Sequence, residues 1–214
     1  MAEINTYIHD QWNVTCITNG TWKQNCYVVK NINSNNCLLI DPGSEGEEII
    51  SFIENNDLVP MAIYNTHGHY DHIGAVHDLK LKYDIKFFVH SGDKKIIKHG
   101  NLYRIIFDDT KMIKIPKIDY LLESENNSLI PSEWKFECLY TPGHTEGSCC
   151  FIFDGVLFTG DTLLKDGTGR TDLPGGDDEI IKESVKILRN IKADKYVFPG
   201  HGKPFYLKQV INNI

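Results

Sequence analysis

Apolar residues gather in short runs separated by polar punctuation, first at strand length and then at helical spacing, and this order occurs twice along the chain. Apolar runs of four to eight residues bounded by turn residues read as strands, and apolar residues at i, i+3 and i+4 read as helices. Up to residue 40 the pattern predicts strands alone: Thr6–His9, Val14–Thr18, Cys26–Lys30 and Cys37–Ile40, with the polar link 31–36 as a hairpin loop. Asp41-Pro42-Gly43-Ser44 ends the fourth strand. A helix is predicted over Glu45–Asn55, with Ile49, Ile50 and Ile53 on its buried side. A strand at Met61–Asn65, a helix at Ile73–Tyr83 and a strand at Lys86–His90 follow. Ser91-Gly92-Asp93 is read as the cap of a short helix, Lys94–His99.

From Gly100 to Glu133 the pattern weakens, and the stretch reads as a long surface excursion of the kind that serves as a lid or binding segment. Order returns with strands at Lys135–Tyr140, Ser148–Phe153 and Val156–Thr159, the last two joined by the hairpin signal Asp154-Gly155. Asp177–Asn190 has a helical stripe of Ile180, Ile181, Val185 and Leu188. Lys195–Phe198 is the last strand, and Phe205–Ile211 a short final helix. The repeated order predicts a two-layer β-sandwich flanked by helices. No repeat or low-complexity linker divides it, so one domain is expected over 1–214.

Composition narrows the chemistry. The 214 residues are 41% hydrophobic and 24% charged, which suits a soluble globular protein with a sizeable core. The net charge of −7 disfavours nucleic acid as a partner, because phosphate binding needs clustered Lys and Arg. No apolar run approaches membrane-spanning length, and the first residues lack a basic end followed by an apolar core. The expectation is a cytoplasmic protein acting on a small molecule, with no membrane partner. The oligomeric state is not legible. Cys16, Cys26, Cys37, Cys138, Cys149 and Cys150 form no Cys-x-x-Cys pair and lie mostly in strand-like runs, so they read as buried reduced thiols.

The candidate chemistry lies at Thr66-His67-Gly68-His69-Tyr70-Asp71-His72, read as a loop between a strand and a helix. Histidine is the commonest metal ligand and aspartate supplies a hard anionic oxygen. Three other strand ends carry the same residue types just past the apolar run: His144, Asp161 and His201, adjoining Gly143, Gly160 and Gly200. If these edges meet, seven side chains converge: His67, His69, Asp71, His72, His144, Asp161 and His201. One zinc with an open position needs three protein ligands, so seven fit two metals with one ligand shared. A carboxylate has two oxygens and can bridge metals roughly 3.5–4 Å apart, whereas a neutral imidazole cannot, so Asp161 is the expected bridge.

The His-x-His-x-Asp-His run, Thr141-Pro142-Gly143-His144-Thr145, Gly160-Asp161 and Gly200-His201-Gly202 resemble the metallo-β-lactamase superfamily. The resemblance runs from Asn25-Cys26-Tyr27 and Asp41-Pro42-Gly43 through His201. Gly169-Arg170-Thr171-Asp172 and Pro174-Gly175-Gly176-Asp177 are similar to its glyoxalase II-like branch. It implies an α+β fold, a four-layer αββα sandwich with the metals in a cleft at its edge. It assigns His67, His69 and His144 to one divalent metal and Asp71, His72 and His201 to a second, with Asp161 between. Zinc is the expected ion; iron and manganese are the alternatives. A metal-held hydroxide would attack the carbonyl of a small thioester or ester, with Asp71 orienting it and accepting its proton.

The sequence departs from glyoxalase II proper, which adds a helical C-terminal segment that holds glutathione; here thirteen residues follow His201. The competing activities are a mononuclear iron persulfide dioxygenase, which shares Gly-Arg-Thr-Asp, and a lactone or β-lactam hydrolase. RNA processing is disfavoured by the negative charge and by only 39 residues between Asp161 and His201. A non-enzymatic binding role would leave all seven side chains vestigial. Arg170 and Asp172 read either as an ion pair bracing Asp161 or as a surface pair. His9, His77, His90 and His99 match no motif, and Lys94, Lys95 and Lys98 read as a solvated face.

Overall fold

The computed structural model describes residues 2–107, 112–123, 134 and 136–214. Seven strands form the first sheet, in the order β1 (Glu3–His9), β2 (Trp12–Asn19), β3 (Gln24–Asn31), β4 (Asn36–Ile40), β5 (Val59–Tyr64), β6 (Lys86–His90) and β7 (Tyr120–Leu122). The first four pair antiparallel, and β4 to β7 pair parallel. The helices α1 (Gly46–Asn55), α2 (Tyr70–Ile73), α3 (Val76–Tyr83), α4 (Lys94–Lys98) and α5 (Gly100–Phe107) lie in the connections between the parallel strands, as parallel pairing requires. The second sheet holds β8 (Glu137–Tyr140), β9 (Cys149–Ile152), β10 (Val156–Gly160), β11 (Tyr196–Pro199) and β12 (Phe205–Tyr206), ordered β12-β11-β10-β9-β8, with α6 (Asp178–Arg189) and α7 (Leu207–Ile211).

Period-two alternation sorts the strands onto three cores. Val14, Tyr27, Val29, Leu38 and Ile40 of the first sheet meet Phe151, Phe158 and Phe198 of the second. The intervening Cys26, Val28, Cys37 and Leu39 point the other way, onto Ile49, Ile53, Val76 and Leu79 of α1 and α3. Leu157 and Val197 face Val185, Leu188 and Val210 on α6 and α7. Strands with both faces covered read as continuous apolar runs, which is why they were legible. The result is the expected four-layer αββα sandwich.

Three local readings are corrected. The helix expected over Ile73–Tyr83 is two, α2 and α3, because the Ala75 amide donates to the Pro42 carbonyl at 3.0 Å. Asp71 and His72 therefore sit on a helical turn and not in a loop. Residues 205–206, expected to open the last helix, pair with β11 as β12. Within the excursion of 100–133, α5 and β7 are ordered elements; residues 108–111 and 124–133 lie outside the described residues. Helix α5 escaped reading because Leu102, Ile105 and Ile106 are exposed and leave no polar stripe to mark its period. No helix among the described residues is long and apolar enough to cross a membrane.

Candidate metal centre

The ends of β5, β8, β10 and β11 meet along one rim of the sandwich. Hydrogen bonds between the sheets fix them there. Cys149 N donates to the Thr66 carbonyl at 2.8 Å, and Asn25 N donates to the Gly200 carbonyl at 2.8 Å. The Asn25 amide also holds the carbonyls of Pro199 and Gly202, and the Tyr27 hydroxyl donates to Pro199 O. These contacts give Asn25-Cys26-Tyr27 its purpose: β3 clamps the turn that presents His201. On the other side, Ser184 of α6 donates to the Pro142 carbonyl at 2.6 Å and holds the turn that presents His144.

The seven predicted side chains all arrive at this rim. Donor atoms of His67, His69 and His144 lie within 4.8 Å of one another, as do those of Asp71, His72 and His201. Asp161 stands between the triads. Its Oδ2 is 3.5 Å from His144 Nε2 and 3.5 Å from His201 Nε2, and its Oδ1 is 3.8 Å from His72 Nε2. Asp71 Oδ2 is 3.6 Å from His72 Nε2 and 3.4 Å from His201 Nε2. A Cβ at Gly200 would stand 2.1 Å from Asp161 Oδ1, so only glycine lets that strand end pass the carboxylate.

Hydrogen bonds at Nδ1 set the tautomers. His144 Nδ1 donates to the Arg170 carbonyl at 2.7 Å, His201 Nδ1 to the Trp22 carbonyl at 3.0 Å and His72 Nδ1 to Asp41 Oδ2 at 3.1 Å. Thr66 Oγ donates to Asp41 Oδ2 at 2.5 Å and so accepts from His67 Nδ1 at 3.1 Å. In each of the four rings the Nε2 lone pair is left pointing inward. His72 Nε2 and His201 Nε2 face each other at 3.3 Å, and His144 Nε2 faces His69 Nδ1 at 2.9 Å. Each such pair of ring nitrogens needs a proton or a cation between them. His67 Nε2 and Asp161 Oδ1 are buried and have no hydrogen-bond partner among the described residues, a cost that coordination would remove. An imidazole whose far nitrogen donates to a carbonyl or carboxylate is the usual form of a metal-ligating histidine. The donor set therefore fits divalent cations.

Electrostatics separates the halves. Burial, reinforced by His144, pushes His69 down to about 3, and burial with the neighbouring rings holds His67 well below the usual imidazole range. Those rings refuse protons and keep their lone pairs. Burial opposes charge at His72 too, but Asp71, Asp161 and Asp41 outweigh it and push it up to about 9. Burial alone would raise Asp71, but His72 and His201 hold it well below the usual carboxylate range. The second triad thus attracts a positive charge.

Two carboxylates here were not singled out as site residues. Asp41 is fully buried and accepts from Thr66 N at 2.7 Å, from Thr66 Oγ and from His72 Nδ1. Its signal was present in the sequence: Asp41-Pro42 is a fifth strand end bearing a carboxylate. Asp93, read as a helix cap, makes no cap bond. Its carboxylate accepts from Gly68 N at 2.7 Å, Gly147 N at 2.7 Å and Thr145 Oγ at 2.9 Å, and burial pushes it up to about 6 despite them. It ties the His67–His69 loop to the His144 turn. Asp93→Asn puts an NH₂ against backbone donors. It is expected to cost about 1–3 kcal/mol of stability, read by denaturant unfolding, and to weaken metal binding; an unchanged unfolding midpoint counts against the tether.

The remaining polar candidates resolve as structural. Arg170 and Asp172 form an exposed two-bonded pair, so the surface reading holds for the side chains, while the Arg170 carbonyl orients His144. His90 accepts from Gly92 N and stacks on Tyr140, and His9 stacks on Tyr196. His99, Lys94, Lys95 and Lys98 are exposed. No cysteine is in a disulfide, and all but Cys138 are buried. Above the metal-type ligands lies an open cleft. Its walls are Trp22, Tyr70, Tyr103, Phe107, Leu173 and Pro174.

A family model described as the metallo-beta-lactamase superfamily matches residues 19–201. The hydroxyacylglutathione hydrolase GloC of Haemophilus influenzae is 33% identical over 198 residues, 89% of this chain and 91% of that protein. Among solved structures, the BLEG-1 B3 metallo-beta-lactamase superposes with a TM-score of 0.85 at 30% identity, covering 92% of this chain and 96% of that one. TTHA1623 in a di-iron-bound form gives a TM-score of 0.81 at 31% identity, covering 90% and 94%.

Proposed function

The chain belongs to the metallo-beta-lactamase superfamily, whose members include metal-dependent hydrolases, and we propose that it hydrolyses a small thioester or ester with two divalent cations. The observation that carries this reading is the set of inward lone pairs with the Asp161 carboxylate between two triads. His67, His69 and His144 would hold one cation and Asp71, His72 and His201 the other, with Asp161 shared. Bound there, divalent cations supply Lewis-acid polarisation of a carbonyl and acidify water towards a pKa of about 7.

The chain's own residues do the rest. The carbonyls of Arg170 and Trp22 and the Asp41 carboxylate lock three imidazole rings so that the site needs little reorganisation on binding. Asp71 stays ionised at neutral pH and lines the cleft, so it is placed to orient water and take its proton. Water oxygen bonds to the acyl carbon, the carbon–sulfur bond breaks, and the proton ends on the departing thiolate. The apolar cleft walls exclude bulk water from that carbon. Likeness to GloC supports the thioester, and likeness to BLEG-1 keeps β-lactam hydrolysis as the second reading.

The test is metal analysis of protein from its native host, then turnover of a panel of acyl thioesters, esters and a β-lactam, with oxygen uptake on a persulfide run in parallel. Metal-dependent release of thiol, abolished by chelation and restored by zinc, iron or manganese, is the expected result. A metal-free protein with no affinity for added ions overturns the reading. Turnover confined to the β-lactam or the persulfide replaces it.

A further inference from the structure

The first sheet ends on a bare edge. Strand β1 is its outermost strand and pairs with β2 through all seven residues without a bulge. Among the described residues, no backbone group of Glu3–His9 bonds to any element besides β2. Such an edge is a template for another strand, and proteins blunt edges with short strands, prolines, lysines or bulges. The other outer strands are short: β7 has three residues, β8 four and β12 two. β1 has seven and contains no Pro, Lys or Gly. Ile4, Thr6 and Ile8 share its outer face, and the two isoleucines are 47% and 73% exposed. On its inner face, Tyr7 and His9 pack on Tyr196 of β11 with ring centroids 6.0 and 5.8 Å apart. Tyr27 of β3 packs on Phe158 of β10, so β1 lies over β11 and the strands further in lie over β10. β12 stands outside β11, so the second sheet overhangs the first by one strand. Tyr206 of β12 pairs directly with Tyr196, shares its face and is 43% exposed. The result is a ledge one strand wide, beside a strand with unpaired backbone groups and above an exposed tyrosine.

We propose that β1 of a second copy of this chain fills the ledge, the two edges pairing antiparallel about a two-fold axis at Thr6. The occupant is argued from the strand itself, which is self-complementary in that register. All seven residues find partners: each Ile4 meets an Ile8, each Glu3 a His9, each Asn5 a Tyr7, and Thr6 meets its own copy. Directly opposed residues share a face, so the isoleucines cover one another on the outer side. No like charges face each other. A shift of two residues either way loses every isoleucine pair. The same contact serves both copies, so the pairing uses up both edges and closes at two chains. It stands apart from the hydrolytic reading and from metal content.

The test is sedimentation and cross-linking of the untagged chain. Expected is a weight-average mass that rises from one chain towards two between about 1 μM and about 1 mM, since a seven-residue edge makes a small interface. Ile8→Lys, at a position exposed enough to leave the fold intact, is expected to weaken the dimer at least about tenfold by placing a charge on the edge. Cysteine substitutions read the register. Thr6→Cys is expected to form a disulfide-linked dimer under diamide, because opposed Cβ atoms lie about 4.5–5.5 Å apart, while the natural sequence stays unlinked. Ile4→Cys and Ile8→Cys are each expected to stay unlinked alone, since about 13 Å of strand separates like positions, and to link when mixed. A single-chain mass up to the highest concentration, with Thr6→Cys linked no better than the natural sequence, overturns the pairing, whether the edge is then bare or taken by another protein's strand. A dimer unmoved by Ile8→Lys and unlinked at Thr6→Cys overturns it too, because the contact then lies on another face.

Discussion

Asp161→Asn is expected to lower metal-dependent turnover by at least about a thousandfold, corresponding to about 4 kcal/mol of lost transition-state stabilisation. The substitution keeps volume and shape, so the fold should survive. What changes is charge and donor character. Asp161 Oδ2 lies 3.5 Å from both His144 Nε2 and His201 Nε2, one from each triad. Burial disfavours its charge, yet His201, His72 and His144 hold it below the usual carboxylate range, so it is the anion common to both halves. An asparagine presents one neutral oxygen and an NH₂ in the same place. The oxygen can serve one half; the NH₂ repels whatever cation the other half would hold. Metal bound per chain should fall together with turnover, while thermal unfolding of the metal-free protein stays close to that of the natural sequence. Unaltered metal content and rate in the variant would remove Asp161 from the shared position.

The second large effect is expected at Asp41, whose carboxylate accepts a hydrogen bond from one predicted ligand, His72. Asp41→Asn preserves the acceptor for Thr66 N but turns an NH₂ towards Thr66 Oγ and His72 Nδ1. Donor then faces donor. His72 relieves this by moving its proton to Nε2, which lies 3.3 Å from His201 Nε2 and 3.6 Å from Asp71 Oδ2. A protonated Nε2 cannot ligate, so affinity for the second cation should drop at least about 10–100-fold. Folding stability should fall by about 2–3 kcal/mol as the buried network is broken. Metal titration reads the first effect, and the imidazole ¹⁵N shifts of His72 read the tautomer. Asp41→Ala should be worse for the fold, since Asp41 holds φ at 50°, a left-handed conformation that Asp and Asn tolerate and Ala does not. Full metal affinity with the natural tautomer in D41N would show that Asp41 is only a packing residue.

The metal-type ligands were legible because their residue types are rare together and because they follow strand ends that are easy to see. His144, Asp161 and His201 each stand just past an apolar run and beside a glycine. Their neighbours were harder. Asp41 looks like a turn residue and Asp93 like a helix cap, and both readings are locally sound. Their roles lie in bonds to Thr66 and His72, and to Gly68 and Thr145, across 25 to 52 positions of sequence. No local pattern reports a partner that distant.

Along the chain, the alternation of apolar and polar residues determined ten of the twelve described strands, all but β7 and β12, because burial on one or both faces leaves a period of two or an unbroken run. The candidate metal-ligating residues were likewise marked by residue type. Tertiary structure alone decided which imidazole nitrogen faces inward, since that depends on carbonyls of Trp22 and Arg170 brought from elsewhere. It alone set Asp161 between two triads. Hydrogen bonds are directional and short, and the sequence carries the atoms that make them but not the distances that join them.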